Sequence, residues 1–205
     1  MSGDNRTIWT VGHSTHDYER FFGLLRSAQI TAVADVRSVP HSRHFSQFNR
    51  DTLKDQLRMD GIAYSFLGEE LGGRPKSSAY YCDGIADYEK MALSKDFSAG
   101  IERVIEGAGR YRIALMCSEH DPLDCHRCLL VGRSLAERSH NVEHILSDGN
   151  IVSHKHIEDQ LLDMAGSRDG DLFLRPVDRL TAAYRKRALK VAYTDVSARS
   201  YGQTA

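Results

Sequence analysis

Arg112-Ile113-Ala114-Leu115-Met116-Cys117-Ser118-Glu119-His120-Asp121-Pro122 decides how the chain is read. Ile113 to Met116 is an unbroken apolar run of strand length, the pattern of a strand covered on both faces. It ends abruptly in a polar turn closed by Pro122, and Asp124-Cys125-His126-Arg127 then opens an amphipathic stretch that reads as a helix through Arg138. Val142 to Leu146 is a further strand, with Asp148-Gly149 as a turn. A strand, a helix and a second strand in some thirty residues form a unit that builds parallel sheets.

The same pattern stands upstream. Thr7 to Val11 is a β-branched and aromatic run closed by Gly12-His13-Ser14. Ser14-Thr15-His16-Asp17 has the form of a helix capping box, and Tyr18, Phe21, Phe22, Leu25 and Ala28 follow at helical spacing. Ile30 to Val36 is apolar until Asp35, and Pro40 ends it. His41 to Asn49 reads as a loop, Arg50 to Met59 as a helix and Ile62 to Leu67 as a strand. The paired Gly72-Gly73 mark a loop, and Asp96 to Glu106 a helix. The tail is helical over His154 to Met164 and again over Leu180 to Tyr193, with Ala165 to Asp171 as the linker between them. The expected fold is one α/β domain, a largely parallel sheet of about five strands with helices on both faces. It occupies residues 1–165, and a C-terminal helical extension covers 166–205.

Composition narrows the partners. With 41% hydrophobic and 27% charged residues the chain is globular rather than disordered. Its net charge of -1 gives it no overall pull toward nucleic acid, so any affinity for phosphate must be local. No stretch has the roughly 20 apolar residues of a membrane span, and the start lacks the apolar segment of a secretory signal. The expected location is the cytoplasm, with no membrane partner. Four cysteines, at 82, 117, 125 and 128, do not make a disulfide framework in that compartment.

Polar residues gather where the strands end. In open α/β sheets ligands sit outside the carboxyl ends of the strands. There the chain places His13 and Ser14, then Asp35, Arg37 and Arg43, then Cys117 and Glu119, with Cys125, His126 and Arg127 at a helix start and His144 after the fifth strand. Arg37, Arg43, Arg74 and Arg127 suit a phosphate or carboxylate, and helix amino termini favour an anion. The competing reading is that these arginines pair with Asp35, Glu69, Glu70 and Glu119 and only fasten loops. Cys117, with Glu119 or His126 as its base, is a candidate nucleophile, and a packed thiol is the alternative. Cys125 and Cys128 have the spacing of a redox pair, and Cys117, His120, Cys125 and Cys128 form a possible zinc set. His140, His154 and His156 read as surface or capping residues, and Arg179 to Lys190 as a solvated basic face.

Several motifs together resemble the domain-of-unknown-function 488 family. They are Thr10-Val11-Gly12-His13-Ser14, Asp35-Val36-Arg37-Ser38-Val39-Pro40, Ser42-Arg43-His44 with Gln47-Phe48-Asn49, and Leu71-Gly72-Gly73-Arg74. Ala114-Leu115-Met116-Cys117 with Glu119, Cys125-His126-Arg127, and Val142 with His144 and Ile145 continue the likeness. The resemblance implies an α/β fold and no agreed activity. It covers Cys117, Glu119, Cys125, His126 and Arg127 but not Cys128, which weighs against both the redox pair and the four-ligand zinc set.

Three functions compete. The first is an enzyme acting on a small anionic, phosphate- or nucleotide-like substrate. In it Cys117, Glu119, His126 and His13 are catalytic, and Ser14, Asp35, Arg37, Arg43, Arg74, Cys125 and Arg127 bind the anion. The second is a non-catalytic module for nucleotide or nucleic acid, and the third a metal or redox protein. No metal ligand and no cofactor is assigned from the sequence, zinc-free protein with reduced cysteines is expected, and oligomeric state stays open.

Overall fold

The computed structural model describes residues 6–167 and 175–195. Six strands form the main sheet, in the order β3-β2-β6-β1-β7-β8. They are β1 (Thr7–Gly12), β2 (Ala32–Asp35), β3 (Ala63–Phe66), β6 (Ile113–Cys117), β7 (Asn141–Ile145) and β8 (Ile151–Ser153). All neighbours run parallel except β7 and β8. A separate hairpin joins β4 (Tyr81–Cys82) to β5 (Ile85–Ala86). The five expected strands are present in one largely parallel sheet. The antiparallel edge strand β8 and the hairpin, each two or three residues long, are additions.

Two cores explain why the central strands β2 and β6 are apolar until they end. On one face α1 (Tyr18–Ser27) and α2 (Arg50–Met59) bury Phe21, Leu24, Leu25, Leu53 and Leu57 against Trp9, Val11, Val33, Ala114 and Met116. On the other, α5 (Lys95–Ala108), α7 (His154–Ala165) and α8 (Pro176–Val191) cover Ile8, Ala32, Ala34, Leu115 and Val142. Strand side chains alternate between faces, so β1 gives Trp9 and Val11 to the first core and Ile8 and Thr10 to the second. Two short helices, α3 (Gly68–Leu71) and α4 (Tyr88–Ala92), lie between β3 and α5. Among the described residues, no helix is long and apolar enough to cross a membrane.

Two local expectations are corrected. The α1 cap is Asp17, not Ser14: Asp17 Oδ1 accepts the Arg20 N–H at 2.7 Å, while Ser14 sits in a left-handed turn with φ 50°. The helix expected from Asp124 to Arg138 is broken. A 3-10 turn (Pro122–Asp124) leads to an extended Cys125 with φ -136° and ψ 138°, and a π-helical stretch (Arg127–Gly132) runs into α6 (Arg133–Glu137). The C-terminal helix packs on the domain. Ala183 and Tyr184 of α8 are buried in the second core, and the chain after it pairs with the hairpin, Ala86 N–H donating to the Tyr193 carbonyl at 2.9 Å. Most of the expected linker, residues 168–171, lies outside the described residues, as does the end of the extension, 196–205.

Candidate active site

Register brings the strand ends together. Gly12 is level with Cys117 and Asp35 with Met116, so the residues after β1, β2 and β6 leave the sheet side by side. β1 continues to β2 through α1 on one face, while β6 continues to β7 through α6 on the other. The chain therefore diverges between β1 and β6, the position where α/β sheets open a crevice. A cleft of about 270 Å³ lies near it, with Arg37, Ser38, Gly73, Arg74, Tyr88, Cys117, Glu119, Cys125, His126 and Tyr193 in its walls.

Cys117, Glu119, Cys125 and His126 form one cluster there. Both thiols lie against Glu119 Oε2, Cys117 Sγ at 3.0 Å and Cys125 Sγ at 3.2 Å. His126 Nε2–H donates to the Val36 carbonyl at 2.9 Å, which turns Nδ1 toward the sulfurs at 3.7 and 3.9 Å. Cys125 Sγ also accepts the Arg127 backbone N–H at 3.4 Å. Gly73 makes room for the ring: a Cβ there would stand 2.8 Å from His126 Cγ.

Charge is distributed unevenly within the cluster. Burial raises the Cys117 thiol, and the hydrogen bond and charge of Cys125 raise it further. Burial opposes charge on Cys125 too, but the Cys117 hydrogen bond, Arg127 and His126 outweigh it and hold that thiol well below its ordinary range. His126 follows as the partner, its burial overcome by the hydrogen bond and charge of Cys125, so its value rises. Burial and the Cys125 charge push Glu119 up. Cys125, rather than Cys117, is thus the thiol built to carry charge.

The arginines divide. Arg37 is bound by Asp35 through Nε at 2.9 Å and Nη2 at 2.6 Å, with Nη2 also donating to the Phe48 carbonyl at 2.8 Å. Tyr64 OH donates to the same carboxylate at 2.8 Å. This is the fastening role, although Arg37 still lines the cleft. Arg127 is 0% exposed and absent from the cleft wall. Its Nη1 and Nη2 donate to the carbonyls of Glu119 and His120 at 2.7 and 3.1 Å, and Nε has no partner among the described residues. Gly12 permits that approach, because a Cβ there would collide with the Glu119 carbonyl. Arg74 is exposed on the cleft wall, stacked over Tyr193 at 4.8 Å, and makes no ion pair among the described residues.

Other expected members fall outside. Arg43 is exposed and away from the cleft, and half-buried Ser14 reaches toward His120 at 3.5 Å instead. His13 is buried against Phe48, its Nδ1–H donating to the Ser14 carbonyl at 2.9 Å and its Nε2 accepting from Arg37 at 3.3 Å. Burial and the Arg37 charge hold it at about 4, so it is a neutral ring that positions Arg37. His144 and His154, read as a strand-end residue and a surface residue, are buried together with Cys128 on the second face. Cys125 and Cys128 therefore do not form a pair. The set Cys117, His120, Cys125 and Cys128 is not assembled either, since His120 bonds Ser147 at 3.1 Å. On α8, Arg185 pairs with Glu89 and Arg187 with Asp124, so the basic face is partly neutralised. Tyr88 and Tyr193 were not anticipated. Neither stands near a motif, and the return of the tail to the hairpin is what brings Tyr193 in.

Fold and site together define a doubly wound α/β protein with a thiol, imidazole and carboxylate cluster at the crevice of its sheet. The family described as Domain of unknown function DUF488 matches residues 17–134, more than half of the chain, and the chain belongs to that family. The matched span contains Arg37, Arg74, Cys117, Glu119 and Cys125 to Arg127, while His13 and His144 lie outside it. Neither a curated protein nor a solved structure matches the chain.

Proposed function

We propose that this protein is an enzyme acting on a small anionic substrate held in the cleft between β2, β6 and the returning tail. The Cys117, Glu119, Cys125 and His126 cluster is the reacting end of the site, and Arg74 is the anion anchor at its rim. The observation that carries the reading is the charge left over in the cleft. Asp35 cancels Arg37 and Arg187 cancels Asp124, and Arg127 is buried behind the wall, which leaves the exposed Arg74 guanidinium on the cleft wall. A guanidinium placed over an aromatic ring gains from the ring face and can still offer N–H donors to a phosphate or carboxylate. At about 270 Å³ the cleft suits a small ligand.

Calorimetric titration with inorganic phosphate and with a nucleoside monophosphate tests this. Arg74→Ala is expected to weaken binding by about 1–3 kcal/mol, the worth of a charged hydrogen bond, with unfolding unchanged. Binding indifferent to Arg74, or absent from the intact chain, counts against the reading.

A further inference from the structure

The cluster offers more lone pairs than protons. With Nε2–H committed to the Val36 carbonyl, His126 turns Nδ1 toward the two sulfurs. Cys117 Sγ, Cys125 Sγ and His126 Nδ1 all lie within 4.8 Å of one another, and Glu119 Oε2 touches both sulfurs. Two protons, shared among the sulfurs and Nδ1, are all that separate these groups. One cation at their centre would satisfy all four at once.

We propose that Cys117, Cys125 and His126 hold a zinc-class divalent ion, Zn2+, with Glu119 as a fourth, displaceable ligand on the cleft side. The proposal deepens the reading of the cleft as an active site and rests on it for the exchange of Glu119, though not for metal binding itself.

Spacing supports the assignment. Tetrahedral zinc with ordinary bond lengths separates sulfur from nitrogen or oxygen by about 3.6 Å. The sulfurs stand 3.7 and 3.9 Å from Nδ1. Glu119 is closer, at 3.0 and 3.2 Å, because S–H···O contacts hold it there now, and loading the ion exchanges those contacts for metal bonds. Adjacent residues can both ligate because the backbone turns from extended at Cys125 to helical at His126, where φ is -61° and ψ -23°.

Ligand type and surroundings select the ion. Two thiolates and an imidazole suit borderline-soft zinc and exclude magnesium and calcium, which take oxygen. The Val36 carbonyl on Nε2–H fixes the tautomer that a metal-bound histidine requires. The independent observation is Arg127. A guanidinium with no exposed surface, bonded to carbonyls and to no carboxylate, is costly unless an anion lies nearby. Two thiolates and a carboxylate exceed a dication by one negative charge, and Arg127 supplies the balance. The two protons shared among Cys117, Cys125 and His126 are released to solvent as the ion enters.

Cobalt(II) titration of the full metal-free chain, with no anion present, tests the proposal. One ion per chain is expected, with the ligand-field bands of a tetrahedral site and sulfur-to-cobalt charge transfer from two thiolates. Cys117→Ser and Cys125→Ser should each lose about half of that charge-transfer intensity and weaken uptake by about a hundredfold, whereas Cys82→Ser and Cys128→Ser change neither. Glu119→Gln should retain the ion and both sulfur transitions but shift the ligand-field bands. Should a cysteine variant fail to fold, the intact chain still decides: cobalt must shield Cys117 and Cys125, but not exposed Cys82, from alkylation mapped by mass. No stoichiometric uptake, uptake that survives loss of Cys125, or uptake lost with Cys128→Ser would each overturn the metal centre. Phosphate binding is read separately. A chain that binds phosphate but not cobalt sinks the metal centre alone, and a loaded chain indifferent to Arg74→Ala sinks the anion reading alone.

Discussion

Cys125 and Cys128 are three residues apart, and each belongs to a different cluster of thiol and imidazole groups. Cys125 joins Cys117, Glu119 and His126 on the cleft wall. Cys128 joins His144 and His154 between the sheet and α7. Both groups have metal-like proximity, but their hydrogen bonds differ. In the second, Thr10 Oγ1 meets His144 Nδ1 at 2.8 Å, His144 Nε2 meets His154 Nδ1 at 2.9 Å, and His154 Nε2 meets Tyr184 OH at 2.9 Å. Tyr184 OH donates onward to Glu158 Oε1 at 3.2 Å. With Glu158 ionised the direction is fixed throughout: each neutral ring donates from Nε2 and accepts at Nδ1. Both ring nitrogens of each histidine are thus paired. Proximity alone does not identify a site: the imidazoles of the second cluster are spent on a chain that ties the fold together, whereas the thiols, Nδ1 and carboxylate of the first turn on one another at the cleft wall.

The largest effect that could break this contrast is on stability. His144→Ala should strand the Thr10 hydroxyl and His154 Nδ1 in the core and leave a cavity, at a cost of about 3–5 kcal/mol in urea unfolding. A loss below about 1 kcal/mol would mean that the chain of bonds is not holding the fold. Arg74→Ala, on the open cluster's cleft, should stay within about 0.5 kcal/mol.

Acid should act on the closed cluster next. Burial, then the Arg133 charge, holds His154 at about 4 against 6.5 when unfolded, and burial with the His154 charge holds His144 well below its ordinary value. Unfolding therefore takes up protons between these values. Stability is full above about pH 6.5 and falls as pH drops toward 4, by about 3 kcal/mol for His154 alone. Glu158, raised chiefly by burial, works in the opposite sense as pH rises through its own range. Comparing unfolding of the intact chain and His154→Gln across that window isolates the histidine. Parallel curves would show that His154 is not held neutral.

How much of this was legible follows from strand geometry. Apolar runs that end in polar turns identified β1, β2 and β6, and with them the edge that carries Cys117, Glu119 and Arg37. Which way a side chain turns was harder. His144 was counted among the polar residues at the strand ends, but in β7 it stands two residues after Val142, and so shares that residue's face and is buried. Cys125 and Cys128 mimic a helical pair by spacing alone; the extended conformation at Cys125 keeps it outside the helix that holds Cys128. Arg127 carries the same lesson. Its position at a helix start suggested an anion contact, whereas the close approach allowed by Gly12 draws it inward onto backbone carbonyls.

The smallest effect gives the sharpest comparison, because Tyr184→Phe removes one oxygen and nothing else from the closed cluster. That oxygen links α8 to α7: it accepts from His154 Nε2–H and donates to Glu158. Phenylalanine fills the same volume, and Arg133, which stacks over the ring at 4.6 Å, retains its aromatic partner. What is lost is one buried acceptor and the outlet of the proton order, a cost of about 1–2 kcal/mol. His154 should then also titrate differently, since its Nε2–H is left without an acceptor; nuclear magnetic resonance of the ring reads this directly. Cobalt uptake at Cys117, Cys125 and His126 should not change, because among the described residues the two clusters are joined through the backbone, Cys128 N–H donating to the Cys125 carbonyl at 3.1 Å, and through no side-chain hydrogen bond. If Tyr184→Phe leaves both unfolding and the His154 resonance unaltered, the relay ends at His154 and α8 is held by apolar packing alone. If it alters cobalt uptake, the two clusters are one coupled system and the division between them fails.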